Sequence, residues 1–386
     1  MEDVDGLLAV ASAETGLTEF GEGTFHEGLD LLVDSLLKEA RLSAVGDFAL
    51  RDIIVRLLKN RLQIEDWYHR YPEIDDEVIL RPLIGLGLPR TGSTALAALL
   101  GEDPRARSLV QWQAEEPCPP PSTVPAPDPR IARAQAKAVL IRQLSPKLTS
   151  MQPSSPTGPF EDHDLMGLDF KSQIFQAFAQ IPSYSAWLLD ADLTSTYRYE
   201  HRVLKLLQWG QERQPWRLKC PTHLIYLGHL DQAFPDARFV MTHRDPTEVL
   251  VSVADVYATA AAMFSEEVDP RYLAALNVEQ WAVGMRRALE FRDAGNEDRF
   301  FDLDFRAMRR DPVGEVRRLY AWLDEPVTPV FETGMRRWWH ENAENREETV
   351  HPDPAAFGLD LDAVRPLFAD YVTRSAEWTA PERSGH

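Results

Sequence analysis

The chain has 386 residues, of which 44% are hydrophobic and 26% are charged, ordinary values for a globular protein that argue against long disorder. No apolar run approaches the length needed to span a membrane, so we expect no membrane span. Lys and Arg total 41 against 61 Asp and Glu, and the net charge of -20 repels nucleic acid over most of the surface. Any anionic ligand therefore needs a locally basic pocket.

The N-terminal segment and the cysteines indicate the compartment. The segment MEDVDGLLAVASAETG is acidic and lacks the basic flank and apolar stretch of a secretory signal. Cys118 and Cys220 are too few for a disulfide framework, and neither belongs to a CxxC pair. These features predict a cytoplasmic protein.

Two amphipathic helices are predicted near the N-terminus. The apolar side chains of the first recur at helical spacing, at Leu29, Leu32, Val33, Leu36 and Leu37. Those of the second repeat the spacing, at Ile53, Ile54, Leu57, Leu58 and Leu62. Since Pro72 then breaks the pattern, residues 1–78 are predicted to form a helical N-terminal cap, and residues 79–386 one α/β domain.

From Val78 onward, short apolar segments alternate with helix-type sequence. The first segment runs through a glycine-containing turn into an Ala/Leu-rich helix, and further strands are predicted at 216–220, 237–244 and 299–305. This alternation is typical of an α/β fold with a central parallel sheet flanked by helices. Seven prolines in 117–129 predict a stiff surface loop, which we interpret as bordering the active site in preference to an SH3-type ligand.

The segment GLPRTGST lies between the first strand and its helix, where backbone N–H groups and the helix dipole can converge on a phosphate. It keeps Gly87 and Gly92 at the spacing of a nucleoside-triphosphatase P-loop. However, Ser93 stands where that loop has its lysine, and the basic residue is Arg90, which disfavours triphosphate hydrolysis. By itself the loop leaves a ligand-free glycine turn equally open.

GLPRTGST resembles the 5′-phosphosulfate loop of sulfotransferases that use 3′-phosphoadenosine 5′-phosphosulfate (PAPS), in the branch with Pro-Arg in place of Pro-Lys. These enzymes hold the 3′-phosphate with an arginine at a strand end and a serine eight residues later, and FVMTHRDPTEVLVSV supplies Arg244 and Ser252 at that interval. Asp245 as N-cap, Pro246 at the first helical position and Glu248 in a capping box predict a helix that starts beside Arg244.

The resemblance implies a P-loop-like three-layer fold, PAPS as donor and PAP as product. It also implies a set of donor-binding residues, namely Pro89, Arg90, Thr91, Gly92, Ser93, Thr94, Arg244 and Ser252.

Further segments extend the likeness over roughly residues 80–365 and are similar to a bacterial sulfotransferase group of mycobacteria and related organisms. They include WRLKCPTHL, RFFDLDFRAMRRDPVGEVRRLYAWL and AAFGLD. The chain departs from the pattern at 349–352, where a basic residue and a histidine are expected before a Tyr-Ser segment. Arg346 is the nearest basic candidate for a donor contact, and a solvated surface arginine is an equal alternative.

Sulfuryl transfer needs a deprotonated acceptor oxygen, in-line approach to sulfur and positive charge at the leaving phosphate. The resemblance implies that Lys219 reaches the bridging oxygen or the transferring group, with His223 as a base or a helix cap. Glu115 and Glu161 are rival bases, preferred to His163. The transferring group carries one charge, so no metal is obligatory, and the sequence has no HExxH or EF-hand pattern.

The acceptor is not identified by the sequence. Aromatic residues at 160–190 are compatible with an apolar acceptor pocket for an alcohol, phenol, sterol-like lipid or glycoside, but core packing is favoured. The alternatives are a non-catalytic PAP-binding module and, ranked well below, a P-loop small-molecule kinase. A homodimer is compatible with the resemblance, although no pattern specifies its interface.

Overall fold

The computed structural model describes residues 2–151, 155–342 and 352–380. Its centre is a five-stranded, all-parallel sheet in the order β2-β3-β1-β4-β5. The strands are β1 (Leu83–Gly87), β2 (Arg107–Ser108), β3 (Trp216–Lys219), β4 (Arg238–His243) and β5 (Phe300–Asp304). The predicted α/β fold with a central parallel sheet is confirmed. The two-residue strand β2 was missed because it is too short for any periodicity.

Helices surround the sheet. They are α1 (Val4–Thr15), α2 (Phe25–Lys38), α3 (Ala44–Arg70), α4 (Ser93–Leu100), α5 (Gln111–Glu115), α6 (Pro129–Leu144), α7 (Pro146–Met151), α8 (His163–Gly167), α9 (Ile174–Phe178), α10 (Pro182–Asp190), α11 (Thr194–Gln208), α12 (Leu227–Ala233), α13 (Pro246–Ala261), α14 (Pro270–Phe291), α15 (Phe305–Arg310), α16 (Pro312–Leu323), α17 (Pro329–Glu341), α18 (Leu361–Val364) and α19 (Ala369–Trp378). Within the described ranges, no helix is both long and apolar enough to cross a membrane.

Neighbouring residues of the sheet point to opposite faces and enter two separate apolar clusters. Ile84 and Met241 pack in a large cluster with α1–α3 and α11–α14, whereas Leu83 and Val240 pack in a smaller one with α4, α16 and α17. Both faces are therefore covered, which explains why β1 is buried at every position.

The N-terminal helices pack on the larger cluster through the predicted apolar faces. Helix α3 ends at Arg70, just before Pro72, as predicted. Leu37 is an exception, because its side chain is exposed on α2 whereas Leu36 is buried. In the proline-rich segment, Pro117, Cys118 and Pro120 are buried and Pro119 is exposed. Most residues from Ser122 to Pro129 are exposed.

A buried ion pair supports the end of β4. Asp302 on β5 accepts hydrogen bonds of 2.8 Å from two nitrogens of Arg292 and one of 2.7 Å shared with His243 Nε2. Arg292, whose side chain is 1% exposed, keeps Glu297 as a second carboxylate partner. Burial raises the pKa of Asp302, but the hydrogen bonds from Arg292 and His243 outweigh it and leave the pKa below its ordinary value. This contact holds His243, the residue before Arg244, in place.

Candidate active site

The loop between β1 and α4 requires its two glycines. Gly87 has φ +130°, and a Cβ there would lie 2.6 Å from the carbonyl oxygen of Thr242 on β4. Gly92 has φ +90°, and a Cβ there would lie 3.0 Å from the ring of Phe305. Arg90, at the loop apex, adopts φ +64°. The glycines therefore serve both a left-handed backbone and close packing against the neighbouring strand and helix.

The buried hydroxyl of Thr91 fixes the loop to the sheet. Its Oγ1 donates to the carbonyl of Leu88 at 2.7 Å and lies 2.6 Å from Oγ1 of Thr242. Helix α4 begins at buried Ser93, so the unpaired N–H groups of its first turn face the loop. This arrangement is suited to an anion. Pro89 is half-buried and Thr94 is exposed on the same loop and first turn.

Arg90, Arg244 and Ser252 meet beside this loop. Arg90 Nε donates to Oγ of Ser252 at 3.2 Å, and its Nη1 donates to the carbonyl of Met151 at 2.6 Å. Arg244 Nη1 in turn donates to the carbonyl of Arg90 at 3.2 Å. Two motifs more than 150 residues apart in the chain are thus in direct contact.

The two arginines concentrate positive charge in an otherwise acidic protein. Burial, and then the charge of Arg244, lower the pKa of Arg90 from its ordinary value. Both hydrogen-bond partners found for Arg90 among the described residues are neutral oxygens. Its charge is therefore available to an anionic ligand.

Helix α13 begins beside Arg244 as predicted, but with one difference. Asp245 caps it by accepting a hydrogen bond of 2.8 Å from the backbone N–H of Thr247. The carboxylate of Glu248, expected in a capping box, instead accepts a hydrogen bond of 3.0 Å from Arg244 Nε. Because Glu248 is partly exposed, we regard this pair as a surface interaction that fixes the direction of Arg244.

Lys219 ends β3 at the same edge of the sheet, opposite Gly85 of β1. Its Nζ lies 2.5 Å from Oε1 of Glu161. The other carboxylate oxygen of Glu161 is 3.6 Å from Nε2 of His163, and that nitrogen is 3.1 Å from Oγ1 of Thr222. Three candidates from the sequence, Lys219, Glu161 and His163, are therefore brought together.

The electrostatics of this cluster separate the roles of its members. Burial raises the pKa of Glu161, but the charge and the hydrogen bond of Lys219 and the nearby histidine rings together outweigh it, so the pKa lies below its ordinary value. Burial lowers the pKa of His163 and favours the neutral ring. The side chain of Glu161 is 31% exposed, whereas that of Lys219 is 7% exposed. Glu161 is thus an ionised carboxylate that a ligand can reach.

His223 and Glu115 occupy different surroundings. His223 is fully buried in a 3-10 turn, where Nε2 lies 2.8 Å from Asp162 Oδ2 and Nδ1 lies 3.0 Å from the hydroxyl of Tyr197. The carboxylate of Glu115 contacts Gln111 and Lys137 on α5 and α6, and within the described ranges it makes no hydrogen bond or ion pair with Lys219. Arg346 lies outside the described residues.

Sequence reasoning missed several members of the site. Thr222 donates a hydrogen bond of 2.7 Å to Gln173, and Asp162 holds His223. Thr222 lies inside the LKCPTH segment and Asp162 beside Glu161, so their neighbours pointed to both. No sequence pattern around Gln173 indicated that it belongs to the site.

Known proteins share this architecture. A model of the Sulfotransferase family matches residues 82–329. Sulfotransferase STF9 from Mycobacterium avium has a TM-score of 0.90 and 32% identity, with 97% of each chain covered. Sulfotransferase STF1 from Mycobacterium tuberculosis H37Rv has a TM-score of 0.84 and 28% identity, covering 96% of this chain and 99% of that one. A comparison with curated proteins gives no match. The family model spans more than half of the chain and STF9 matches nearly all of it, and we conclude that this chain belongs to the sulfotransferase family.

Proposed function

We propose that the protein transfers a sulfuryl group from PAPS to a hydroxyl group of a small acceptor and releases PAP. The observation that carries the proposal is the contact of Arg90 with Ser252 and Arg244 beside the loop that starts α4. It joins the two segments that the family resemblance assigns to the two phosphate groups of the donor. A cytoplasmic location and a homodimer remain predictions.

The residues present fit such a donor. The loop offers backbone N–H groups and the dipole of α4 to one phosphate group. Arg244 and Ser252 offer a guanidinium and a hydroxyl to the second, with Arg90 between them. The loop lacks the lysine with which a P-loop enzyme binds a triphosphate, so a kinase fits less well.

We assign the chemical step to Lys219 and Glu161. When bound, PAPS supplies the sulfuryl group: the acceptor oxygen bonds to sulfur while the bond from sulfur to the bridging phosphate oxygen breaks. Glu161 is assigned as the base that takes the hydroxyl proton, because its carboxylate is ionised and partly exposed. Lys219 supplies positive charge at the end of β3, where charge develops on the leaving oxygen.

His163 and His223 receive positioning roles. The neutral ring of His163 contacts both Glu161 and Thr222 and orients the carboxylate. His223 is fully buried, so an acceptor hydroxyl cannot reach it, and we assign it to holding Asp162. Glu115, the rival carboxylate, pairs with Lys137 and makes no hydrogen bond or ion pair with Lys219 among the described residues.

The test is thermal unfolding with PAP, Mg-ATP or NAD. A ligand at about 100 times its dissociation constant adds about 2.7 kcal/mol of stability, so PAP alone should raise the Tm by several degrees. Arg286, exposed on α14, offers the matched control: Arg286→Ala should retain the shift and Arg244→Ala should lose most of it. Stabilisation by Mg-ATP alone would favour the kinase. PAP binding without turnover over a panel of acceptors would favour a non-catalytic module.

A further inference from the structure

A group of metal-ligand side chains lies buried beside the Lys219–Glu161 pair. Asp162 precedes α8, Glu200 lies on α11, and His223 follows β3. All three are 0% exposed. One ligand atom of each, a carboxylate oxygen or an imidazole nitrogen, lies within 4.8 Å of the other two. Three distant segments therefore converge on one small volume.

The hydrogen bonds of this group are incomplete. His223 uses both ring nitrogens, on Asp162 Oδ2 at 2.8 Å and on the Tyr197 hydroxyl at 3.0 Å. Asp162 Oδ1 and both carboxylate oxygens of Glu200 make no hydrogen bond among the described residues. Buried polar atoms are almost always paired, because an unpaired one costs its full desolvation free energy. Asp162 Oδ1 and both oxygens of Glu200 are thus buried and unpaired, and one ligand atom of each carboxylate lies close to the His223 ring, an arrangement that a cation would satisfy.

We propose that Asp162, Glu200 and His223 bind one divalent transition-metal ion, such as Zn²⁺ or Mn²⁺. Two carboxylates balance the charge of the ion when the imidazole is neutral. The nitrogen ligand favours a transition metal over Mg²⁺ or Ca²⁺, which take oxygen ligands.

The geometry of the group is compatible with an ion. An ion bound to Nε2 would replace the proton that Nε2 shares with Asp162 Oδ2 at 2.8 Å, and tetrahedral ligands about 2.1 Å from the ion would then lie about 3.4 Å apart. The hydroxyl of Tyr197 can accept a hydrogen bond from Nδ1–H, the outer contact that fixes a metal-bound imidazole. A proton shared between Asp162 and Glu200 would need a hydrogen bond between them, and none joins them in the described part of the chain.

The ion is structural, since complete burial leaves no position for a substrate. It joins the segment of Glu161, the segment of Lys219 and α11. Asp162 is adjacent to Glu161, and His223 is four residues after Lys219, so the ion would hold the two charged groups at their observed separation.

The neighbouring trio of Glu161, His163 and Cys220 also has ligand spacing. The ammonium group of Lys219 lies 2.5 Å from Glu161, and this positive charge opposes a second cation there. Glu161→Gln is therefore a matched control, because it alters that trio and leaves Asp162, Glu200 and His223 intact.

The experiment is the metal content of the full chain, measured by plasma mass spectrometry after loading with Zn²⁺, Mn²⁺ or Mg²⁺ and gel filtration. We expect about one Zn²⁺ or Mn²⁺ per chain in the native protein and in Glu161→Gln, and at least tenfold less in Glu200→Gln. Less than a tenth of an ion per native chain would overturn the proposal, and so would equal contents in the native protein and Glu200→Gln.

A second measurement covers the case in which Glu200→Gln fails to fold. Slow removal of the ion from the native protein by a chelator should lower the Tm, and Zn²⁺ or Mn²⁺, but not Mg²⁺, should restore it. A Tm that the chelator leaves unchanged, or that Zn²⁺ and Mn²⁺ do not restore, would overturn the proposal. Neither readout uses PAP or turnover, so failure here and failure of the proposed sulfuryl transfer are distinguishable.

Discussion

Replacing Arg90 by alanine removes a guanidinium that donates to Ser252 and keeps the backbone carbonyl that accepts from Arg244. A hydrogen bond to a charged group contributes about 1.5–3 kcal/mol, and each 1.4 kcal/mol is tenfold in affinity. Arg90→Ala should therefore weaken PAP binding about 10- to 150-fold. Ser252→Ala removes a neutral hydroxyl worth about 0.5–1.5 kcal/mol and should weaken binding about 2- to 10-fold.

The two changes should not be additive. The hydroxyl of Ser252 accepts from Arg90 Nε at 3.2 Å, so it acts partly by directing the guanidinium. Once Arg90 is absent, that part of its contribution is already lost. Residues in contact couple by about 0.5–3 kcal/mol. The double variant should therefore lose less PAP-binding free energy than the sum of the two single losses, by at least about 0.5 kcal/mol.

Isothermal titration calorimetry with PAP at one fixed salt concentration gives the binding free energy of the native protein, the two single variants and the double variant. Ionic strength must be held constant because screening weakens phosphate contacts. Arg286→Ala provides the control for loss of one positive charge at an exposed position. Additive losses within about 0.3 kcal/mol would refute the direct role of the Arg90–Ser252 contact, and an unchanged affinity in Arg90→Ala would refute the donor site itself.

Three further predictions concern the reacting groups and the sheet. Lys219→Ala should lower kcat at least about 100-fold and spare PAP affinity; equal losses in both would contradict its role at the leaving oxygen. Glu161→Gln should lower kcat by about 100- to 10,000-fold, whereas Glu115→Gln should leave kcat nearly unchanged. A large loss of kcat in Glu115→Gln and none in Glu161→Gln would assign the role of base to Glu115. Asp302→Asn breaks the buried pair with Arg292 and should lower the free energy of unfolding by about 3 kcal/mol, measured in urea at pH 7; a loss below about 0.5 kcal/mol would contradict the reasoning. Because the pKa of Asp302 is lowered on folding, this contribution is complete above its unfolded value of about 3.9 and is lost as the pH falls through the folded pKa.

Much of the fold was predictable because its signals are local. Apolar periodicity located α3 and its end at Arg70, and short apolar segments located β1, β3, β4 and β5 approximately. Turn chemistry placed Gly87 and Gly92 on the loop between β1 and α4, where positive φ and close packing require glycine. The strand β2 and the exposure of Leu37 could not be predicted, since both depend on what the rest of the chain places beside them.

From the sequence came only candidates for the chemistry: two basic motifs, a lysine at a strand end and a small set of acidic residues. Which of these candidates meet depends on the tertiary structure. It joined Arg90 to Ser252 and Lys219 to Glu161, and it paired Glu115 elsewhere. It also gathered the buried acids around His223. The physical reason is that periodicity and turn chemistry act over a few residues, whereas the distance between two side chains from separate segments follows from sheet order and packing against the core.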